Sequence, residues 1–129
     1  MKTSEVLNKA ADLIEKHGWG RGNGAMQPGF PEGACMEGGI AAAMGVDDLI
    51  LIDAETLIYS YAPIQKCPAY RAVAEYLAHD GDVWHWNDTL ATSASEVIEV
   101  LRATAVIEAA REEAAETVNQ PTEELAVTW

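Results

Sequence analysis

The sequence predicts a mainly α-helical fold, a compact single-domain bundle of about four helices. Three patterns carry this reading. Residues 4–17 place Val6, Leu7, Ala10, Ala11, Leu13 and Ile14 on one helical face, with Glu5, Lys9, Asp12, Glu15 and Lys16 on the other. Cys35 to Met44 is a run of small and apolar residues, short enough for a buried helix in close contact with its neighbours. Ser93-Ala94-Ser95-Glu96 matches the capping box, in which a hydroxyl and a carboxylate satisfy each other's backbone amides at the start of a helix.

Each element can be justified in order. Thr3 or Ser4 is placed to accept from the free amides at the start of the first helix, and Gly18 supplies the left-handed stop after His17. Between Gly18 and Gly39 lie eight of the ten glycines together with Pro28 and Pro31, a composition that supports a long irregular loop. Loops of this length in compact domains tend to be functional or disordered, which makes this one the first candidate for a binding surface. Trp19, Met26 and Phe30 on this segment either fold down onto the core or meet a partner. Residues 49–62 read as a helix starting at Asp53 or as a short β-hairpin over 49–61, and the helix is the preferred reading.

Pro68 suits a first helical turn, after which Tyr70, Val73, Tyr76 and Leu77 form a stripe. In the last helix Val97, Ile98, Leu101 and Ala105, joined by Val106 or Ile107, form the buried side, and Pro121 forbids continuation past Gln120. The expected organisation is one helical domain over residues 1–117 and an acidic tail over 118–129.

Composition narrows the class of function. The 129 residues are 49% hydrophobic, too apolar for a disordered chain, and the formal charge is −13. Four basic and nine acidic residues occupy positions 1–65, against four basic and twelve acidic over 66–129. Such a surface repels phosphates and anionic lipid, so neither nucleic acid nor membrane is expected as a partner. It suits a basic protein partner, or an acidic decoy that imitates DNA. No apolar run approaches the roughly 20 residues of a membrane span, and the N-terminal residues lack a secretory pattern. Two cysteines without a zinc spacing fit buried thiols in the cytoplasm, with no cofactor and no metal.

Three constellations could carry chemistry. Cys35 at a helix start, with His85 as base and Asn87 or Asp88 to orient it, would suit a cysteine-dependent hydrolase or transferase. Against it, alternate residues of an extended chain point apart, so His85 and Asn87 are awkwardly spaced. His79, Asp80, Asp82, His85 and Asp88 crowd possible metal ligands around Gly81, but read better as a polar turn. Gly33 to Gly39 has the glycines of a phosphate loop without its lysine.

Three segments together resemble a family of small uncharacterised proteins of actinobacteria and their phages. They are Ala10-Ala11-Asp12-Leu13-Ile14-Glu15-Lys16-His17-Gly18-Trp19, Cys35-Met36-Glu37-Gly38-Gly39-Ile40, and Trp86-Asn87-Asp88 followed by Ser93-Ala94-Ser95-Glu96-Val97. The family patterns are A-A-x-x-I-x-x-x-G-W, C-L-x-G-A-[IL] and W-N-D-x-P-G-R-T-x-x-E-V. The chain departs from the last, with Leu90-Ala91-Thr92 in place of Pro-Gly-Arg and Ser93 in place of threonine.

The resemblance implies a compact helical fold and a bacterial, phage-infected cytoplasm, and brings no assigned activity. Trp86, Asn87 and Asp88 are read as turn formers and a packing residue ahead of the Ser93/Glu96 cap. The resulting expectation is a non-enzymatic interaction domain that binds a host partner or a second copy. Its surface would comprise Trp19, Met26, Phe30, Glu112, Glu113 and Glu116.

Overall fold

A computed structural model of the chain describes residues 1–21, 30, 33–45, 50–53, 58–60, 67–77 and 83–119. The fold is mainly helical. Helix α1 spans Thr3–His17, α2 Met36–Ala43, α3 Pro68–Leu77, the short α4 Val83–His85, and α5 Ala94–Asn119. A π-helical turn, Trp86–Leu90, continues α4. Val6, Leu7, Ala10, Ala11 and Ile14 of α1 meet Met36, Ile40 and Ala41 of α2 and Val97, Leu101 and Ala105 of α5 in one buried cluster, which Tyr70 and Val73 of α3 join.

The chain closes this core through small residues and borrowed caps. A Cβ on Gly39 would lie 3.4 Å from the Ala10 carbonyl oxygen, so glycine lets α2 approach α1 closely. Gly18 donates its amide to the Ile14 carbonyl at 2.8 Å and ends α1 where expected, with the positive φ of 87° that favours glycine but an extended ψ of 164° in place of the left-handed turn. The start of α1 differs from expectation. Thr3 is already helical and Lys2, the residue before it, makes no side-chain cap. Glu112, far along α5, accepts instead from Ser4 N at 3.0 Å and from Ser4 Oγ at 2.6 Å. A carboxylate at a helix start meets both the bare amides and the positive end of the dipole.

Several other expectations are corrected. Ile50–Asp53 and Ile58–Ser60 pair antiparallel, Ile50 with Ser60 and Leu51 with Tyr59, where a helix from Asp53 was preferred. The β-branched and aromatic residues of these segments favour a strand. On α5 the inward positions are Val97, Val100, Leu101, Thr104 and Ala105, whereas Val106 is 70% exposed and Ile107 40% exposed. The helical repeat carries positions 106 and 107 past the face that α1 covers. Buried Thr104 returns its hydroxyl to the Val100 carbonyl at 2.7 Å. Tyr76 on α3 is also exposed, and Ala69 and Ala72 take the inward side with Tyr70 and Val73.

The cap of α5 keeps half of its predicted form. Ser93 Oγ accepts from Glu96 N at 3.2 Å. The Glu96 carboxylate accepts from Thr92, from its amide at 3.2 Å and its hydroxyl at 2.5 Å, one residue ahead of the usual partner. Helix α5 runs through positions 118 and 119, across the expected boundary of the tail, and the tail from 120 onward lies outside the described residues. No helix among the described residues is long and apolar enough to cross a membrane.

Candidate functional site

Trp19, Asp88 and the helix start at Cys35, among the features singled out in the sequence, converge on the amide of Asn87. The π turn carries it there. In an α-helix the amide of residue i bonds the carbonyl of i−4, but here Ala91 N reaches the Trp86 carbonyl at 2.8 Å, five residues back. Such a widened turn shifts the side chains within it, and turns of this kind are frequent at functional sites. Trp86 and Asn87 point inward and are buried, while Thr89 and Leu90 face out.

Asn87 is fully buried and its hydrogen-bonding capacity is filled. Its Oδ1 accepts from Trp19 Nε1 at 2.8 Å and from Met36 N, at the start of α2, at 3.1 Å. Its Nδ2 donates to the Gly20 carbonyl at 3.1 Å and to Asp88 Oδ1 at 3.0 Å. An amide has two acceptor positions and two donors, and all four are occupied. One side chain therefore joins the π turn to the loop after α1 and to the cap of α2. Sequence reasoning read Asn87 as a turn former and missed this role.

Around Asn87 the residues just after α1 are tied to those just before α2. Gly20 N donates to the Ala34 carbonyl at 3.1 Å and Ala34 N to the Gly18 carbonyl at 2.8 Å. Gly33, with φ 87°, passes so close that a Cβ there would sit 2.8 Å from the backbone of Trp19. Trp19 is half-buried, and the Arg21 guanidinium lies 4.7 Å from its ring centroid while donating to the Ala91 carbonyl. Phe30 is not displayed to a partner. It is buried, with its ring 5.7 Å from that of His17. Met26 lies outside the described residues.

Cys35 adjoins this cluster as the N-cap of α2, where its Sγ accepts from Gly38 N at 3.2 Å. Burial pushes its thiol up to about 12, only partly opposed by the Gly38 amide, and the charges of Glu37 and Asp88 add to the rise. Cys35 is thus the buried thiol that was the first expectation, and the reactive thiolate of the cysteine-dependent alternative is disfavoured, since burial outweighs the amides at the helix start. Glu37 is itself 6% exposed, and burial, followed by the charge of Asp88, pushes its carboxyl up to about 7. The cluster therefore holds a proton on Glu37 below about pH 7 and a neutral thiol on Cys35 through neutral pH. His85 is exposed on α4, and the filled amide of Asn87 has no further hydrogen bond with which to orient it.

The acidic positions at the end of α5 divide. Glu112 caps α1 and Glu116 accepts from Lys2 Nζ at 3.0 Å, while Glu113 is exposed. Positions 79, 80 and 82 of the possible metal cluster lie outside the described residues, and among those described no group of three His, Cys, Asp or Glu could hold a metal ion.

The fold and this buried polar hub define a small helical protein whose most distinctive motif, Trp86-Asn87-Asp88, joins the π turn to the loop after α1 and to α2. The chain belongs to a family of unknown function, DUF6197, whose pattern matches residues 1–107. No curated protein and no solved structure matches it.

Proposed function

We propose that this chain is a non-enzymatic interaction domain that binds a basic protein partner along the solvent face of α5. The charge layout of that helix carries the reading. Both of its arginines are paired with carboxylates, Arg102 to Asp12 at 2.8 Å and Glu15 at 3.1 Å on α1, and Arg111 to Glu108 at 2.9 Å on α5 itself and to Glu75 at 3.3 Å on α3. Glu99, Val106, Ala110 and Glu113 follow one another at helical spacing on the outer side, all exposed. Two exposed apolar side chains, Val106 and Ala110, with a carboxylate at either end of the row suit an amphipathic segment bearing lysine or arginine. The neutral thiol of Cys35 and the filled amide of Asn87 weigh on the same side, because they leave the cysteine-dependent hydrolase or transferase without an activated nucleophile and an orienting amide. With the actinobacterial and phage setting that the motifs imply, the partner is a protein of the bacterial host cytoplasm.

Fluorescence anisotropy tests this with a labelled helical peptide that alternates Leu/Ala and Arg/Lys, beside the same peptide with glutamate for the basic residues. The basic peptide binds and the acidic one does not. Affinity falls about tenfold or more between roughly 0.05 and 0.3 M salt, and it is lost in the Val106→Asp, Glu113→Lys double variant. Equal binding of both peptides, or salt-independent self-association through the same face, overturns the proposal.

A further inference from the structure

The start of α1, the end of α2 and the start of α3 leave an apolar pocket of about 270 Å³ between them. Met1, Thr3 and Val6 line it from α1, Met44 from the end of α2, and Cys67 and Pro68 from the start of α3. Two of these side chains are left open to solvent, Met1 at 73% and Met44 at 40% exposure. Unbranched methionine re-packs readily, a property that binding surfaces exploit. A cavity of about 150 Å³ already admits benzene, so this pocket has room for an indole.

The segment that follows α5 starts beside this pocket. Glu116 in α5 accepts from Lys2 Nζ at 3.0 Å, and Lys2 stands between the lining residues Met1 and Thr3. Helix α5 stops at Asn119, about one turn further on. Pro121 cannot extend the helix away from α1, and the ten residues 120–129 can span roughly 33 Å. They carry Glu123 and Glu124 with no basic residue, then Leu125, Val127 and Trp129. The rim of the pocket complements this charge. Arg71 lies one turn after Pro68 on the same side of α3, is exposed, and forms no ion pair among the described residues.

We propose that residues 123–129 of the same chain close this pocket, with the indole of Trp129 seated against Met1 and Met44 and the acidic pair Glu123-Glu124 held at Arg71. Tethering makes the contact intramolecular, so a modest apolar and ionic attraction suffices to hold it. The strap crosses the junction of α1, α2 and α3, away from the outer face of α5, and does not depend on the partner proposed for that face.

Iodoacetamide labelling of Cys67 in the full chain tests the strap, because this thiol lines the pocket and a docked segment screens it. Trp129→Ala is expected to speed labelling by about tenfold and Arg71→Glu by roughly threefold, as a locally held segment opens. Glu123→Lys with Glu124→Lys speeds it as well, and joining both to Arg71→Glu restores the slow rate. Methyl-labelled methionine gives a second readout, since an indole over Met44 shifts its methyl resonance and Trp129→Leu abolishes that shift. Equal labelling rates in W129A and the wild type, or a Met44 methyl unmoved by W129L, overturn the proposal. Protection that is lost on dilution also overturns it, because the segment then belongs to a second copy.

Discussion

Trp19 and Asn87 stand 68 positions apart in the chain, yet the indole Nε1 of one donates to the side-chain oxygen of the other at 2.8 Å inside the protein. Removing the acceptor exposes how much depends on it. Asn87→Ala leaves the Trp19 indole, the Met36 amide and the Gly20 carbonyl without their partner in a space too buried for ready rehydration. The expected loss is about 2–4 kcal/mol of unfolding free energy, measured by urea titration. Trp19→Phe removes only one donor and costs less, about 1–2 kcal/mol. Equal stability of N87A and the wild type would remove Asn87 from its central role.

Glu37 gives the protein a pH dependence of opposite sign to that of a paired surface carboxylate. Its folded-state value, about 7, lies above the ordinary 4.5, so folding favours the protonated form. This contribution is fully present below the ordinary value and is lost as pH rises through about 7. Between pH 5 and pH 8.5 the wild type is expected to lose up to roughly 2–3 kcal/mol through this group. Glu37→Gln, neutral at every pH, flattens that part of the profile. Thermal unfolding across the range checks it, and an unchanged slope in E37Q refutes it.

Ser4 and Glu112 form a cap between two helices, and the bond from the Ser4 hydroxyl holds the Glu112 carboxyl below its ordinary range. A depressed carboxyl stabilises above its unfolded value and ceases to do so as pH falls through the folded one. Glu112→Ala is expected to destabilise by about 1 kcal/mol, as the loss of a good N-cap does. Combining it with Ser4→Ala in a double-mutant cycle gives a coupling of about 0.5 kcal/mol or more. Additive effects would separate the two residues.

Thiol chemistry separates the two cysteines. With its thiol raised to about 12 by burial, Cys35 is expected to resist iodoacetamide at pH 8 for as long as the chain stays folded. Cys35→Ser keeps the bond to the Gly38 amide and is tolerated. Cys35→Val loses the cap and costs about 1 kcal/mol. Mass spectrometry of alkylated fragments reads the first expectation and calorimetry the second.

Much of the helical frame was legible because it rests on local rules. The apolar spacing of α1, Gly18 after it, Pro68 at the first turn of α3 and the Ser93 cap of α5 depend on neighbours three or four residues away. The missed features depend on distant ones. Nothing near Ser4 announces that its cap comes from Glu112, and nothing near Val106 tells how far α1 wraps around α5. Asparagine favours turns, so the sequence alone points to a turn residue at Asn87. A polar amide directly after a tryptophan is the one local signal that could have pointed inward. The glycine-rich surroundings of Phe30 leave core and partner open, and the structure decides for the core, with its ring on that of His17.

The anchoring of α1 by the far end of α5 means that the opening turn of the molecule and its last helical turns loosen or tighten together. A chain trimmed after Ile107 would retain the packed side chains of the interior yet lose Glu112 and Glu116, the two residues that clasp Ser4 and Lys2. Its first turn would then fray and admit proteases. Whatever grips the end of the long helix, or pulls on it, is thereby felt at the beginning of the polypeptide.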